Sequence, residues 1–191
     1  ALLATQLVGY DERDPDTRPR ARIPFVEVAA EEPPLPPMFA FVKTPYWERA
    51  DEDTKEGLAE LIEQLGEQVE EIELLPSAID AWELHRTIME AEMAVNLEGE
   101  WNKGRDRLSE QLRAQLERGR NVRAIDYQRA RSRIAPIHES FVELFEQRYD
   151  AILTPAATGA APKGLSSTGD PVFCTLWTLC GMPAISLPLL Q

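Results

Sequence analysis

The sequence is poor in the residues that most often carry chemistry. Only two cysteines and two histidines occur in 191 residues. Cys174 and Cys180 fall on one short predicted helix and point to different faces, so no disulfide is expected between them. Without histidine neighbours they make no zinc site. Both read as buried, reduced thiols, which suits a cytoplasmic location. His85 and His138 sit on separate predicted helices and in no H-E-x-x-H spacing. Helix surface or partial burial is expected for both. Basic charge is also short: 20 Lys and Arg stand against 33 Asp and Glu, a net charge of −13. That balance argues against a nucleic-acid backbone or an anionic membrane as partner. No apolar run reaches the roughly 20 residues of a membrane span. The start, Ala1-Leu2-Leu3-Ala4, lacks both Met and the basic segment of a secretory signal. There is no P-loop and no G-x-G-x-x-G.

What is present reads as alternating strands and helices. Residues 1–9 are the end of a helix, closed by Gly9. Residues 10–37 hold Pro15, Pro19, Pro24, Pro33, Pro34, Pro36 and Pro37, which makes them an extended connector, either a flexible linker or an ordered wrap. Residues 38–75 predict strand, helix, strand. Met38 to Thr44 is a buried apolar run, and Leu58, Leu61, Ile62 and Leu65 keep helical spacing up to Gly66. Asp51, Glu52 and Asp53 suit that helix's N-terminus. Val69 to Leu74 follows as a strand, parallel to the first.

Residues 77–147 are helical. Pro76 and Ser77, with Asp80, form an imperfect capping box. Ile79, Trp82, Met89, Met93 and Leu97 make an apolar stripe, widened by Ile88 and Val95. Leu108, Leu112 and Leu116 mark a shorter helix that Gly119 ends. The longest helix runs from about Ala124 to Gln147 and should kink at Pro136. Residues 149–191 read as strand (Tyr149 to Thr154), small-residue loop, apolar helix (Pro171 to Cys180) and strand (Pro183 to Leu189). An edge strand at the last residues would be left unpaired, so both termini are expected to be cut ends.

Few residues offer themselves as catalysts. Gly164-Leu165-Ser166-Ser167-Thr168-Gly169 has a superficial likeness to a nucleophile elbow, yet its second glycine comes one residue too late. It reads as loop chemistry. Glu90, Glu92, Glu98 and Glu100 could in principle bind a divalent ion, yet Glu90, Glu92 and Glu98 do not share one helix face, and a solvated face is the better reading. Trp82 reads as core. Trp177 lies beside Thr178 and Gly181, where a loop, a helix and a strand end converge, a common place for a ligand, although core filler is the commoner reading of such a residue.

Tyr149-Asp150-Ala151-Ile152-Leu153-Thr154-Pro155, Thr168-Gly169-Asp170 and Trp177 through Pro188 together resemble the C-terminal half of the amidase signature family. Ala1 to Asp14 is similar to the segment that follows the family's active-site serine. Gly119 to Arg133 is similar to the helix that precedes its D-x-x-L-x-P strand, Asp150 to Pro155 here. The resemblance implies an α/β fold, a partial mixed sheet flanked by helices, forming one partial domain over 1–191. It implies hydrolysis of a carboxamide to acid and ammonia with no metal and no cofactor. The family's Ser–cis-Ser–Lys residues and Gly-Ser-Ser-Gly-Gly segment have no equivalent in these residues, so no catalytic residue is assigned.

The part present resembles a substrate-side wall. Trp177 and Thr178 are expected to face substrate, with Asp170 and Phe173 behind them. Amidotransferase members favour Asn where Thr178 stands and an acid near Pro171, which favours a different amide here. The expected partner is a small-molecule amide. Self-association through exposed strand edges is also expected, and the chain alone should be inactive. The alternative is a non-catalytic helical interaction module or a degenerate amidase relative.

Overall fold

The computed structural model describes residues 1–14 and 17–187. Pro15 of the connector and the last part of the expected fourth strand, Pro188–Leu189, lie outside the described residues. The chain divides into two compact units, Ala1–Pro36 and Pro37–Gln191.

The first unit holds two short helices, α1 (Leu2–Leu7) and α2 (Phe25–Ala30). Neither buries a residue. Helix α1 ends at Leu7, two residues before the expected glycine cap. Val8, in extended conformation, donates its N–H to Ala4, and Gly9 takes no left-handed conformation. The connector is not continuous either: α2 begins straight after Pro24, whose fixed φ suits a helix entry.

The second unit is built on three parallel strands, β1 (Phe39–Val42), β2 (Val69–Ile72) and β3 (Ala151–Leu153), in the order β2-β1-β3. Phe39 stands opposite Val69 on one side and Ala151 on the other. The central strand Phe-Ala-Phe-Val has no polar alternation because both of its faces are covered. Helix α3 (Glu52–Leu65) connects β1 to β2. Its first turn is held by Asp51, whose Oδ1 accepts the Thr54 N–H at 2.9 Å, and Gly66 ends it as expected.

Five helices separate β2 from β3: α4 (Ala81–Asn96), α5 (Glu98–Gly104), α6 (Glu110–Arg120), α7 (Ala124–Ser132) and α8 (Ile134–Gln147). The core sits where α4, α7, α8 and a last short helix, α9 (Thr175–Cys180), meet. Ala81, Ile88, Ala130, Ile137, Phe141 and Leu176 are buried there. Burying a side chain such as Phe141 contributes about 2–3 kcal/mol before entropy is counted.

Five expectations change. The capping box does not form: residues Pro76–Ala78 make a separate single turn, and the Asp80 carboxylate turns to Arg133, 2.9 Å away. Ile79 precedes α4 and is exposed, as is Val95. The long helix breaks at Arg133, so Pro136 falls in the first turn of α8, where its missing N–H would have had no partner. Gly119 lies inside α6 and packs tightly on α4. Residues 182–187 are irregular, with Ile185 and Leu187 exposed, because no neighbouring strand among the described residues offers them a ladder.

Two charge and thiol expectations also change. Glu90 is buried, and Arg118 reaches its Oε1 with Nε at 2.9 Å and Nη2 at 2.6 Å. A carboxylate out of water needs such a partner, which sequence spacing does not reveal. Cys174 is exposed, while Cys180 is buried as expected. The difference follows from α9 starting only at Thr175, which leaves Cys174 on the turn before it.

Candidate functional site

In this parallel sheet the chain passes from β1 to β2 on one side, and then returns past β1 to lay β3 on its other side. The crevice outside the carboxyl ends of β1 and β3 is then the place where such folds receive ligands. The residues that follow β1 and β3 build it.

After β1, Thr44 is buried and its Oγ1 accepts the Tyr46 N–H at 3.3 Å. Lys43 lies 5.6 Å above the Trp47 ring and bonds Glu71 at 2.9 Å. After β3, the long loop is pinned to the start of α3. The Asp51 N–H donates to the Thr158 carbonyl at 2.7 Å. Gly159 comes so near the Asp51 carboxylate that a β-carbon would stand 1.9 Å from Oδ2. Hydrogen bonds from Thr54, with a lesser one from the Ala160 backbone, hold that carboxyl below its usual range. At the far end of the loop, Asp170 pairs with Arg49.

The loop leads into α9. Gly181, at φ 65°, closes this helix in the left-handed conformation, and the Met182 N–H returns to the Trp177 carbonyl at 3.0 Å. Trp177 is buried and meets Phe141 edge to face at 5.5 Å. Among the described residues its Nε1–H has no partner. The Thr154 hydroxyl, one residue past β3, is likewise buried without a partner, and so is Ser77 Oγ. Buried orphan donors are uncommon and cost about 1–3 kcal/mol each.

The four residues chosen from the sequence take different places. Thr178 is exposed and its neighbour Trp177 is buried. Phe173 is buried with Ala50 and Val172. Asp170 is partly exposed and occupied: Oδ1 accepts the Val172 N–H at 3.0 Å while Oδ2 faces Arg49. Thr44, Arg49 and Thr154 are not among the four, and Asp51 is expected only at the N-terminus of α3. A threonine within two residues of the end of each apolar strand was the available signal for Thr44 and Thr154.

The two histidines stay outside this region's polar groups. His138 Nδ1 lies 3.1 Å from the Cys180 carbonyl, and burial holds His85 below its usual pKa. Among the described residues no three His, Cys, Asp or Glu side chains gather to hold a metal ion. Glu90 is taken by Arg118, and Glu92 accepts the Tyr127 hydroxyl at 2.7 Å. Among the described residues no helix is long and apolar enough to cross a membrane.

The model of the amidase family matches residues 1–191. The chain belongs to the amidase family. A solved structure described as a crystal structure of amidase shares its fold, with a TM-score of 0.62 at 19% identity. The match covers 82% of this chain and 40% of that amidase, so the chain spans well under half of the amidase's length. No curated protein matches. The amidase fold thus accounts for the α/β architecture and the flanking helices.

Proposed function

We propose that these residues form the substrate-side wall of an amidase that hydrolyses a carboxamide to a carboxylic acid and ammonia. The serine nucleophile is supplied from outside them. Residue by residue, the family's Lys and Gly-Ser-Ser-Gly-Gly segment have no counterpart among the 191. The observation that carries this reading is the family match along the whole chain, in a chain that covers only 40% of a related amidase.

In this reading Thr178 presents its hydroxyl to a small-molecule amide and Trp177 backs it. Asp170 and Phe173 fix the turn behind them. The Trp177 Nε1–H, buried and unpaired among the described residues, supports this reading as a donor in reserve. By themselves these residues bind through the wall but do not cleave, and the outer edges of β2 and β3 pair with a second copy.

Ammonia release tests the reading. The purified 191-residue chain should release none from a panel of aliphatic and aromatic carboxamides, and the complete protein should release it. Ammonia from the 191 residues alone would place the nucleophile within them. A complete protein inert on every amide would overturn the amidase reading and favour the non-catalytic relative.

A further inference from the structure

Four side chains and one backbone unit close a ring beside α9. The Tyr46 ring lies 5.0 Å from that of Trp82. The Arg49 guanidinium carbon lies 5.9 Å from the same Tyr46 ring. Arg49 pairs with Oδ2 of Asp170, and Oδ1 of Asp170 accepts the Val172 N–H at 3.0 Å. The Val172 carbonyl then accepts the Trp82 Nε1–H at 2.8 Å, which returns the circuit to its start. Tyr46 and Trp82 pack against Ala50, Val172 and Phe173, a small core of their own.

The members come from three distant places: the segment after β1, helix α4, and the turn that enters α9. Because the circuit is closed, each contact limits the freedom of the others. It also fixes residues 170–173 at two points, through the Asp170 carboxylate and through the Val172 carbonyl. Helix α9 begins two residues after Phe173, so the ring sets where Trp177 and Thr178 stand.

The Arg49–Asp170 pair is half open to solvent, at 54% and 29% side-chain exposure. Ion pairs of that kind add little to stability, typically about 0–1 kcal/mol. A planar guanidinium does, however, fix a carboxylate's orientation. Its direction therefore matters more than its contribution to folding.

We infer that Arg49 is a positioning residue of the amidase reaction, acting through Asp170 to set the Trp177–Thr178 wall against the substrate. This rests on the amidase reading given above. Arg49 itself touches no substrate.

Two measurements test it. In the complete enzyme, Arg49→Met should raise KM for a carboxamide about tenfold with kcat within about twofold. Arg49→Lys should recover part of the loss. The swap of Arg49→Asp with Asp170→Arg should recover more than either single change. A melting temperature that falls in all variants while KM stays fixed would overturn the inference.

The second measurement needs no activity. In the 191-residue chain, the Trp82 emission, taken as the difference from Trp82→Phe, should shift to the red in Arg49→Met and return in the swap. An unshifted emission would overturn it. If the complete protein releases no ammonia, the amidase reading fails, and the emission still decides whether Arg49 holds the ring.

Discussion

Gly119 of α6 lies so close to Glu90 of α4 that a β-carbon at position 119 would stand 1.9 Å from the Glu90 carbonyl oxygen. The contact is with backbone, which cannot swing aside. The same imagined carbon would lie 3.1 Å from the Ala94 methyl. These two helices are thus spaced by an absent side chain.

Gly119→Ala should therefore push α6 off α4 and destabilise the fold by about 1–3 kcal/mol, as overpacking does. Gly99→Ala is the control. Position 99 lies in α5 with nothing within 4 Å of its β-carbon. There the same change should stabilise by up to about 1 kcal/mol through helix propensity. Urea midpoints moving in opposite directions would bear out the pair, and equal movement would refute it.

Arg118→Ala should lower the urea midpoint more than Glu90→Gln. Removing the arginine leaves a buried carboxylate unpaired, whereas the glutamine amide still accepts from Arg118. The reverse order would mean that water already reaches Glu90.

The two thiols should separate cleanly. Cys174 is exposed and should react with a thiol reagent within the native state, while Cys180 should wait for unfolding. Burial pushes the Cys180 thiol up to about 11 from its ordinary 9.0. Between those values the unfolded chain has lost a proton that the folded one keeps, so stability falls as pH rises from about 9 toward 11. Cys180→Ala should flatten that decline, measured by urea unfolding across the alkaline range.

Trp82 and Trp177 should answer phenylalanine differently. Trp82→Phe removes the donor to the Val172 carbonyl and should cost about 1–2 kcal/mol beyond lost packing. Trp177→Phe removes a buried donor that has no partner among the described residues, and this relief offsets much of the cavity left behind. Its net change should stay within about 1 kcal/mol. Paired denaturation curves decide it.

Much of this architecture is legible in the sequence. Phe39 to Val42 reads as a doubly covered strand because nothing in it is polar, and Asp51 and Gly66 bracket α3 by the usual cap chemistry. Pro136 shows where such reading stops. Proline forbids a continued helix, but whether the chain kinks or starts afresh depends on what the broken end packs against. Glu90 is a second case. Only the fold brings Arg118, 28 residues later, to a carboxylate that spacing alone leaves in solvent.

The site was legible in part. The parallel pairing of β1 with β2 follows from the strand–helix–strand pattern, whereas the approach of β3 to β1 does not, and the resemblance pointed to Trp177 and Thr178. The ring through Arg49, Asp170, Val172 and Trp82 was not foreseeable. Its contacts span 90 residues between Trp82 and Val172, and no local pattern encodes them.

The central strand also carries a consequence for how the chain is made. Met38 and Asp150, at the near ends of β1 and β3, are 112 residues apart and are joined by the Asp150 carboxylate accepting the Met38 N–H at 2.8 Å. One flank of β1 can pair with β2 soon after both leave the ribosome. The other must wait until five helices have followed. During that interval β1 offers an open row of backbone donors and acceptors to any neighbour. Closing so distant a pair late is slow, and the nascent chain spends that time exposed to mispairing.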